Sequence, residues 1–433
     1  MRRAKWIGLT FVLAFAVLFT AACNGESSSG KQTYSFGTWA AGVELQELRE
    51  IVDAVNTEAD GAYEITIESY PSDYYVKLAT KIAGKTAPDF FWLTQELISR
   101  YAEMDAIADV TEQLEGSEAI PADSFYPGVL ASATYEGKYY GVPWIANPLM
   151  VYYNRDLFDD AGVPHPDPED DWTWDEFLAT AQQLTLEQVD EFGNNYQQYG
   201  YIVDGWPNIE TFLWAGGGDI IAENGSDIVL DSPESLSGLD ILHEILIEGV
   251  TPRYQNVGSL GSNNVWFEKQ RAAMFMGGIQ DNFEKKISEL PEDEQFEIGY
   301  APMPLGADGM QSAFDWTAST VMKADLAGDT AAFEALEALT LKFFEWKIAP
   351  PIEGTVDTVA DIDPLKEPAL PTIQIALENA RSANYIPEWN EINDMLWLRL
   401  YNPLLSDPEG FDYHAAAQEI AAESRELIAK RGE

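Results

Sequence analysis

The sequence predicts an α/β fold in two lobes, each a mostly parallel sheet flanked by helices. Three observations carry this expectation. Short β-rich runs alternate with amphipathic helical stretches along most of the 433 residues, the pattern of sheets covered by helices on both faces. A chain of that length exceeds one ordinary hydrophobic core. Hydrophobic residues make up 46% and aromatic residues 12%, which excludes disorder and supplies a large packed interior.

The chain opens with a segment that does not belong to the fold. In MRRAKWIGLTFVLAFAVLFTAAC, the cations Arg2, Arg3 and Lys5 precede an uncharged apolar run, residues 6–22, that small residues close. Residues 1–22 therefore read as an export signal. The run is short for a membrane span, and NGESSSGKQ after it is a polar, flexible linker rather than a basic flank. Cys23, the single cysteine, follows Ala21 and Ala22 directly, where a diacylglyceryl group could be attached before cleavage. This resembles the lipobox of bacterial lipoproteins, with Thr20 where that motif usually has leucine. The implied place is the outer face of the cell membrane, with lipidation at Cys23 and residues 23–32 as slack. Disulfides are excluded, since no second cysteine exists.

After the linker, TYSFGTW reads as a first strand and AYEITIESY as a second. Between them, Leu48, Ile51, Val52 and Val55 fall at helical spacing. Ser72 is placed to cap the next helix, DYYVKLATKIAG, which Gly84 ends. PDFFWL is continuous and apolar, as a buried parallel strand should be. A first interlobe crossing is placed in the Pro-bracketed segment GVPWIANPLMVYYNRDLFDDAGV, with a new strand over residues 150–153. Thr173 and Glu176 then form a capping box for a helix beginning at Trp174. Residues 200–249 hold a strand, a helix ending in the glycine run 216–218, and a further helix. FEKQRAAMFMGG reads as a helix entering a strand that Gly277 and Gly278 terminate, and EIGYAPMPLG as a strand followed by a second crossing. No internal repeat is present.

Lys and Arg total 25 against 73 Asp and Glu, a net charge of −48, and such a surface repels nucleic acid and anionic lipid. The charge is best read as a solvation adaptation to salty or alkaline surroundings. The three histidines, His165, His243 and His414, are scattered singly, and the acidic run 167–171 lacks calcium-loop spacing, so no metal site is expected. There is no GxSxG elbow, P-loop or dinucleotide glycine fingerprint. No catalytic residue and no cofactor are expected.

What remains is a surplus of aromatic residues where strands end. In open α/β sheets, ligands sit outside the carboxyl ends of strands. Trp39 follows strand one, Tyr74 follows strand two and Trp92 closes strand three. Trp144 lies in the first crossing, Trp206 and Trp214 flank a later strand end, and Trp316 follows the second crossing. Sugar rings need flat aromatic faces for stacking and nearby amides or carboxylates for hydrogen bonds. Asp73, Gln95, Asn147, Asp204, Gln280 and Asn390 are the candidate polar partners. Trp172, Trp174, Trp266, Trp346 and Trp397, lying in helical patterns, suit core packing instead.

Four segments carry a family likeness: APDFFWL; YEGKYYGVPWIANPLMVYYNRDLFDDAGV followed by TWDEF; WAGGGD with VLDSPES; and FEKQRAAMFMGG. In this order and spacing, the chain resembles the family 1 extracellular solute-binding proteins of bacterial ABC sugar importers, which include maltose-binding protein. The resemblance implies a type II periplasmic-binding-protein fold with a hinge crossed several times. Lobe 1 would comprise 33–144 and 304–350, and lobe 2 145–303 and 351–430. It further implies a monomer without enzymatic activity that closes on a carbohydrate, an oligosaccharide, and delivers it to the permease's transmembrane subunits. The family's ligand contacts fall at Trp39, Trp92, Asn147, Trp206, Gly278 and Gln280, and around Trp389 with Asn390. Asn147 stands where maltose-binding protein has a carboxylate and Gln280 where it has a tryptophan, which points away from maltose itself.

Two other readings fit the same residues. A cationic solute such as a polyamine or betaine would suit a tryptophan cage and the acidic charge. A secreted glycoside hydrolase would need two opposed carboxylates, one with a raised pKa.

Overall fold

The computed structural model describes residues 31–166, 171–189, 192–347 and 351–431. The export signal 1–22, Cys23, the linker up to residue 30 and acidic residues 167–170 lie outside the described residues. Gln32, assigned above to the linker, instead opens the first strand.

Eleven strands run in chain order: β1 (Gln32–Thr38), β2 (Tyr63–Ser69), β3 (Phe90–Thr94), β4 (Thr134–Tyr135), β5 (Lys138–Tyr139) and β6 (Val142–Asn154), then β7 (Leu186–Val189), β8 (Asn195–Tyr201), β9 (Ala272–Gly278), β10 (Ile298–Ala301) and β11 (Asp315–Met322). Nine of them join in the order β2-β1-β3-β11-β6-β9-β8-β7, with β10 also pairing β6. β4 and β5 form a separate small hairpin.

In the first half, β1 pairs in parallel with β2 and with β3. The helix Gly42–Glu58 crosses between β1 and β2, burying Leu48, Val52 and Val55 on one stripe, while Ile51 stays half-buried at its edge. β3 is buried throughout, and its residues alternate between two cores. Phe90 and Trp92 enter the cluster containing Phe36, Trp144 and Phe343, whereas Phe91 and Leu93 enter the one containing Tyr74, Leu78 and Ile98. Ser72 does not cap the following helix. That helix, Tyr74–Ala83, starts at Asp73 in the left-handed region without a side-chain cap, and the Ser72 hydroxyl accepts from Lys77 Nζ at 3.2 Å.

β6 joins the two halves. Its residues 142–148 pair with β11, whereas Leu149–Tyr153 pair with β9 and Val151–Asn154 with β10. The register slips between Ala318 and Ser319 of β11, so Trp144 is skipped, a bulge beside the junction. The expectation of mostly parallel sheets holds for β1, β2 and β3 and for β8 with β9. It is corrected at the junction, where β11, β6, β9 and β10 pair antiparallel. The reason is connectivity: β11 returns from the second half and so enters the first sheet against its direction.

In the second half, the capping box at Thr173 and Glu176 forms as read, with Trp174–Gln183 as its helix. The glycine run has a packing cause. A Cβ on Gly216 would lie 2.2 Å from the backbone N of Gly238, and one on Gly218 2.2 Å from that of Ser235, so glycine lets helix Ile209–Ala215 and its end meet helix Pro233–Ile247 at backbone contact. The strand expected within residues 200–249 lies earlier in the chain, as β8, which pairs with β7 in a hairpin whose residues are mostly exposed or half-buried. Among the described residues, no helix is long and apolar enough to cross a membrane.

Candidate ligand-binding site

The strand ends of both halves converge on the junction. Asn147 of β6 sits opposite Trp316 of β11. Its backbone N–H donates to Asp315 Oδ1 at 2.7 Å, and its side-chain Oδ1 accepts from the Gln280 backbone N–H at 2.9 Å. Gly278 must be glycine here: a Cβ would stand 2.4 Å from the Asn147 amide. The junction thus brings together Asn147, Gly278, Gln280 and Trp316. Gln280 Nε2 and Asp315 Oδ2 are buried without a hydrogen-bond partner among the described residues. Burial, partly offset by the Asn147 N–H, pushes the Asp315 carboxyl up to about 7.

Trp39 and Trp206 are half-buried, one at the end of β1 and one beyond β8, and Trp316 contacts both principal cores. Trp39 meets Tyr74 edge-on, with centroids 5.4 Å apart. Trp206 is oriented by its Nε1–H, which donates to Met276 O at 2.9 Å. Asp204 beside it accepts from Asn263 Nδ2 at 2.9 Å, and burial raises its pKa.

Several expected contacts are placed inside instead, which corrects their reading as open faces. Trp92 and Trp144 are 0% and 2% exposed and stack on one another at 4.6 Å, with Trp346 at 6.2 Å from each. Period-2 alternation turns Trp92, with Phe90, into the sheet's own core, and the bulge in β6 sets Trp144 beside it. Tyr74 is buried, and its hydroxyl is spent on the carbonyls of Trp92 and Gly37. Gln95 is likewise committed: its Oε1 accepts from Thr317, and its Nε2 donates to Asp315 O at 2.9 Å and Tyr385 Oη at 3.1 Å. Trp389 is buried edge-on against Tyr385, whereas Asn390 and Asp73 are exposed. Trp214 is buried within its helix. In the other direction, Trp397 is not a core residue: it is 37% exposed.

The sequence reading missed a set of acids around Tyr385, Glu210 buried and Glu96 and Asp219 half-buried. Glu210, 4% exposed, accepts from Asn208 Nδ2 at 2.7 Å, and burial pushes its pKa up to about 7. Glu96 follows Gln95 from the first half and accepts from Thr94 Oγ1; burial raises it too. Asp219 accepts from Trp214 Nε1 at 3.1 Å and is also raised by burial. Tyr385 is held well above the usual phenol range by burial and then by the charges of Glu210 and Glu96. One sign lay in the sequence: Glu96 adjoins a strand-end glutamine. With 73 acids present, adjacency alone did not single it out. Among the described residues, no group of three or more His, Cys, Asp or Glu is placed to hold a metal ion.

Known proteins resemble this chain in sequence and in fold. Residues 50–342 match the model of the family described as bacterial extracellular solute-binding protein. A binding protein of Brucella abortus is 25% identical over 404 residues, covering 90% of this chain and 91% of the relative. The diacetylchitobiose-binding protein of Streptomyces coelicolor is 22% identical, covering 82% and 80%. In structure, the sugar-binding protein MalE of Xanthomonas citri aligns with a TM-score of 0.76 at 20% identity, over 92% of this chain and 98% of that one. With the family model spanning well over half of its length, the chain belongs to the bacterial extracellular solute-binding proteins.

Proposed function

We propose that the protein captures a carbohydrate, an oligosaccharide, in the cleft between two lobes and delivers it to the transmembrane subunits of an ABC importer. The observation that carries this reading is Trp316, half-buried and opposite Asn147 on the strand shared by both halves, with Asn147 bonded to Gln280 and two further half-buried indoles, Trp39 at the end of β1 and Trp206 beyond β8. Flat faces flanked by acceptors suit a ring of C–H groups edged by hydroxyls. The saccharide-binding names of the relatives support the same ligand class.

The partner switch in β6 supports a lobe boundary between Pro148 and Leu149. The second crossing lies between β10 and β11, and a third lies in the segment where Asp315 N–H donates to Arg381 O. Ligand held by groups from both lobes stabilises the closed form through contacts absent when open, and only that differential affinity shifts the hinge. No bond in the ligand is made or broken. Lipidation at Cys23 would hold the receptor at the membrane's outer face as a monomer, with the linker giving reach.

The test is calorimetric titration of the purified protein with neutral oligosaccharides, followed by chromatography of the recovered ligand. Tight binding of an unaltered saccharide supports the reading, and turnover sinks it.

A further inference from the structure

The turn Trp397–Tyr401 is a single π-helical turn following helix Trp389–Leu396. Such turns are uncommon and are frequently found at functional sites. This one is fastened to the loop that carries Trp206. Tyr401 Oη donates to Pro207 O at 2.6 Å. The six-membered ring of Trp397 lies against Gly205: a Cβ there would stand 2.9 Å from indole atoms Cη2 and Cζ3, and Gly205 has φ +108°, a conformation that disfavours any side chain. Loop and turn are therefore fitted to each other at backbone range. The result is an indole 37% exposed, set beside the residue that precedes Trp206.

Burial does not account for that arrangement. A tryptophan left more than one-third in water forgoes much of the transfer free energy its surface could contribute. Its ring is nonetheless fixed, edge-on to Tyr401 at 5.9 Å and against Gly205. Charges of both signs lie around the turn, Glu391 pairing with Arg100 at 3.7 Å and Arg399 with Glu423 at 2.6 Å, so neither sign dominates and an uncharged, hydroxyl-bearing occupant is accommodated.

We propose that Trp397 is an outer stacking platform of the cleft, taking the saccharide ring next to the one held at Trp206, so that the protein selects chains of at least two rings over monosaccharides. This rests on the carbohydrate reading above and adds a length requirement to it.

The test titrates wild type, Trp397→Leu and Trp397→Phe with three homologous series of one to six units: α-1,4-glucose, β-1,4-N-acetylglucosamine and α-1,5-arabinose. Leucine keeps apolar volume against Gly205 without the flat face, and thermal unfolding verifies that each variant is folded. In the series that binds, wild-type affinity should step up with added units, and Trp397→Leu should remove about tenfold of that gain while leaving the shortest binding member unchanged. Trp397→Phe should keep most of it. Equal loss at every length, or no loss at any, overturns the platform even though carbohydrate binding stands. Should none of the three series bind the wild type, the carbohydrate reading itself fails, and the platform fails with it.

Discussion

Asn147 and Gln280 are joined across the junction by one hydrogen bond, the Asn147 side-chain oxygen accepting the Gln280 backbone N–H at 2.9 Å. Asn147 belongs to the strand that serves both halves of the sheet, and Gln280 to the loop leaving β9. Removing that acceptor frees the loop and leaves a donor without its partner. Asn147→Ala should weaken saccharide binding at least tenfold, with destabilisation near 1–2 kcal/mol, about the cost of one lost buried hydrogen bond. Titration and urea unfolding on the same preparation separate the two effects.

Gly278→Ala probes the same junction from the other side. Its Cβ would press on the Asn147 amide at 2.4 Å. Overpacking of this kind costs about 1–3 kcal/mol. Binding should fall along with stability, and the double variant Gly278→Ala/Asn147→Gly should recover more stability than additivity predicts.

Trp39 and Trp206 should behave differently from Trp92. Replacing either half-buried indole by alanine should reduce affinity by tenfold or more while moving the unfolding midpoint little. Trp92→Ala, which empties a fully buried site, should cost about 3–5 kcal/mol of stability. Stability and affinity measured side by side would show the division, and equal stability losses at all three positions would refute it.

Acid should stabilise this fold within the mild range. Glu210 and Asp315 are pushed up to about 7 by burial, above their unfolded values, so the folded state holds their protons longer. Their stabilising effect is complete below the unfolded pKa values and is lost as pH rises toward the folded ones. Asp89, Asp109 and Asp231 are lowered by their partners and act in the opposite sense only at more acidic pH. Unfolding free energy should therefore be larger at pH 5 than at pH 8. Glu210→Gln should flatten part of that slope and raise stability at pH 8 by about 2 kcal/mol.

Lys366 is fully buried, with its ammonium 2.9 Å from Glu284 Oε2, 3.1 Å from Tyr152 Oη and also on the Asp281 carbonyl. It clamps the loop that presents Gln280. Lys366→Met leaves Glu284 buried without its cation and should cost about 3–5 kcal/mol. Adding Glu284→Gln should restore much of that loss, which chemical unfolding of the three variants would reveal.

The fold was largely legible because its signals are local. The continuous apolar run of β3, the capping box at Thr173 and the glycines ending β9 each fix an element by themselves. Strand direction at the junction was not legible, since it depends on which half the chain returns from. Of the residues the junction brings together, Asn147 and Trp316 stood out by lying at expected crossings, whereas Gly278 came from the family resemblance alone. Trp92 and Trp144 misled because a strand-end tryptophan turns to core or cleft according to the pleat, and a bulge at Trp144 shifts that parity. Glu96, Glu210 and Tyr385 meet only through tertiary packing from three distant segments. Trp397 was hidden in a helical pattern whose π turn has no local signature.

The most direct measurement is titration of the purified protein and of its Trp206→Ala variant with neutral oligosaccharides, combined with analysis of the ligand after incubation. A trap closing on a saccharide predicts tight, stoichiometric binding by the wild type, at least tenfold weaker binding by Trp206→Ala, and a ligand recovered intact. Cleavage of the saccharide, or equal affinity of wild type and variant, would contradict it.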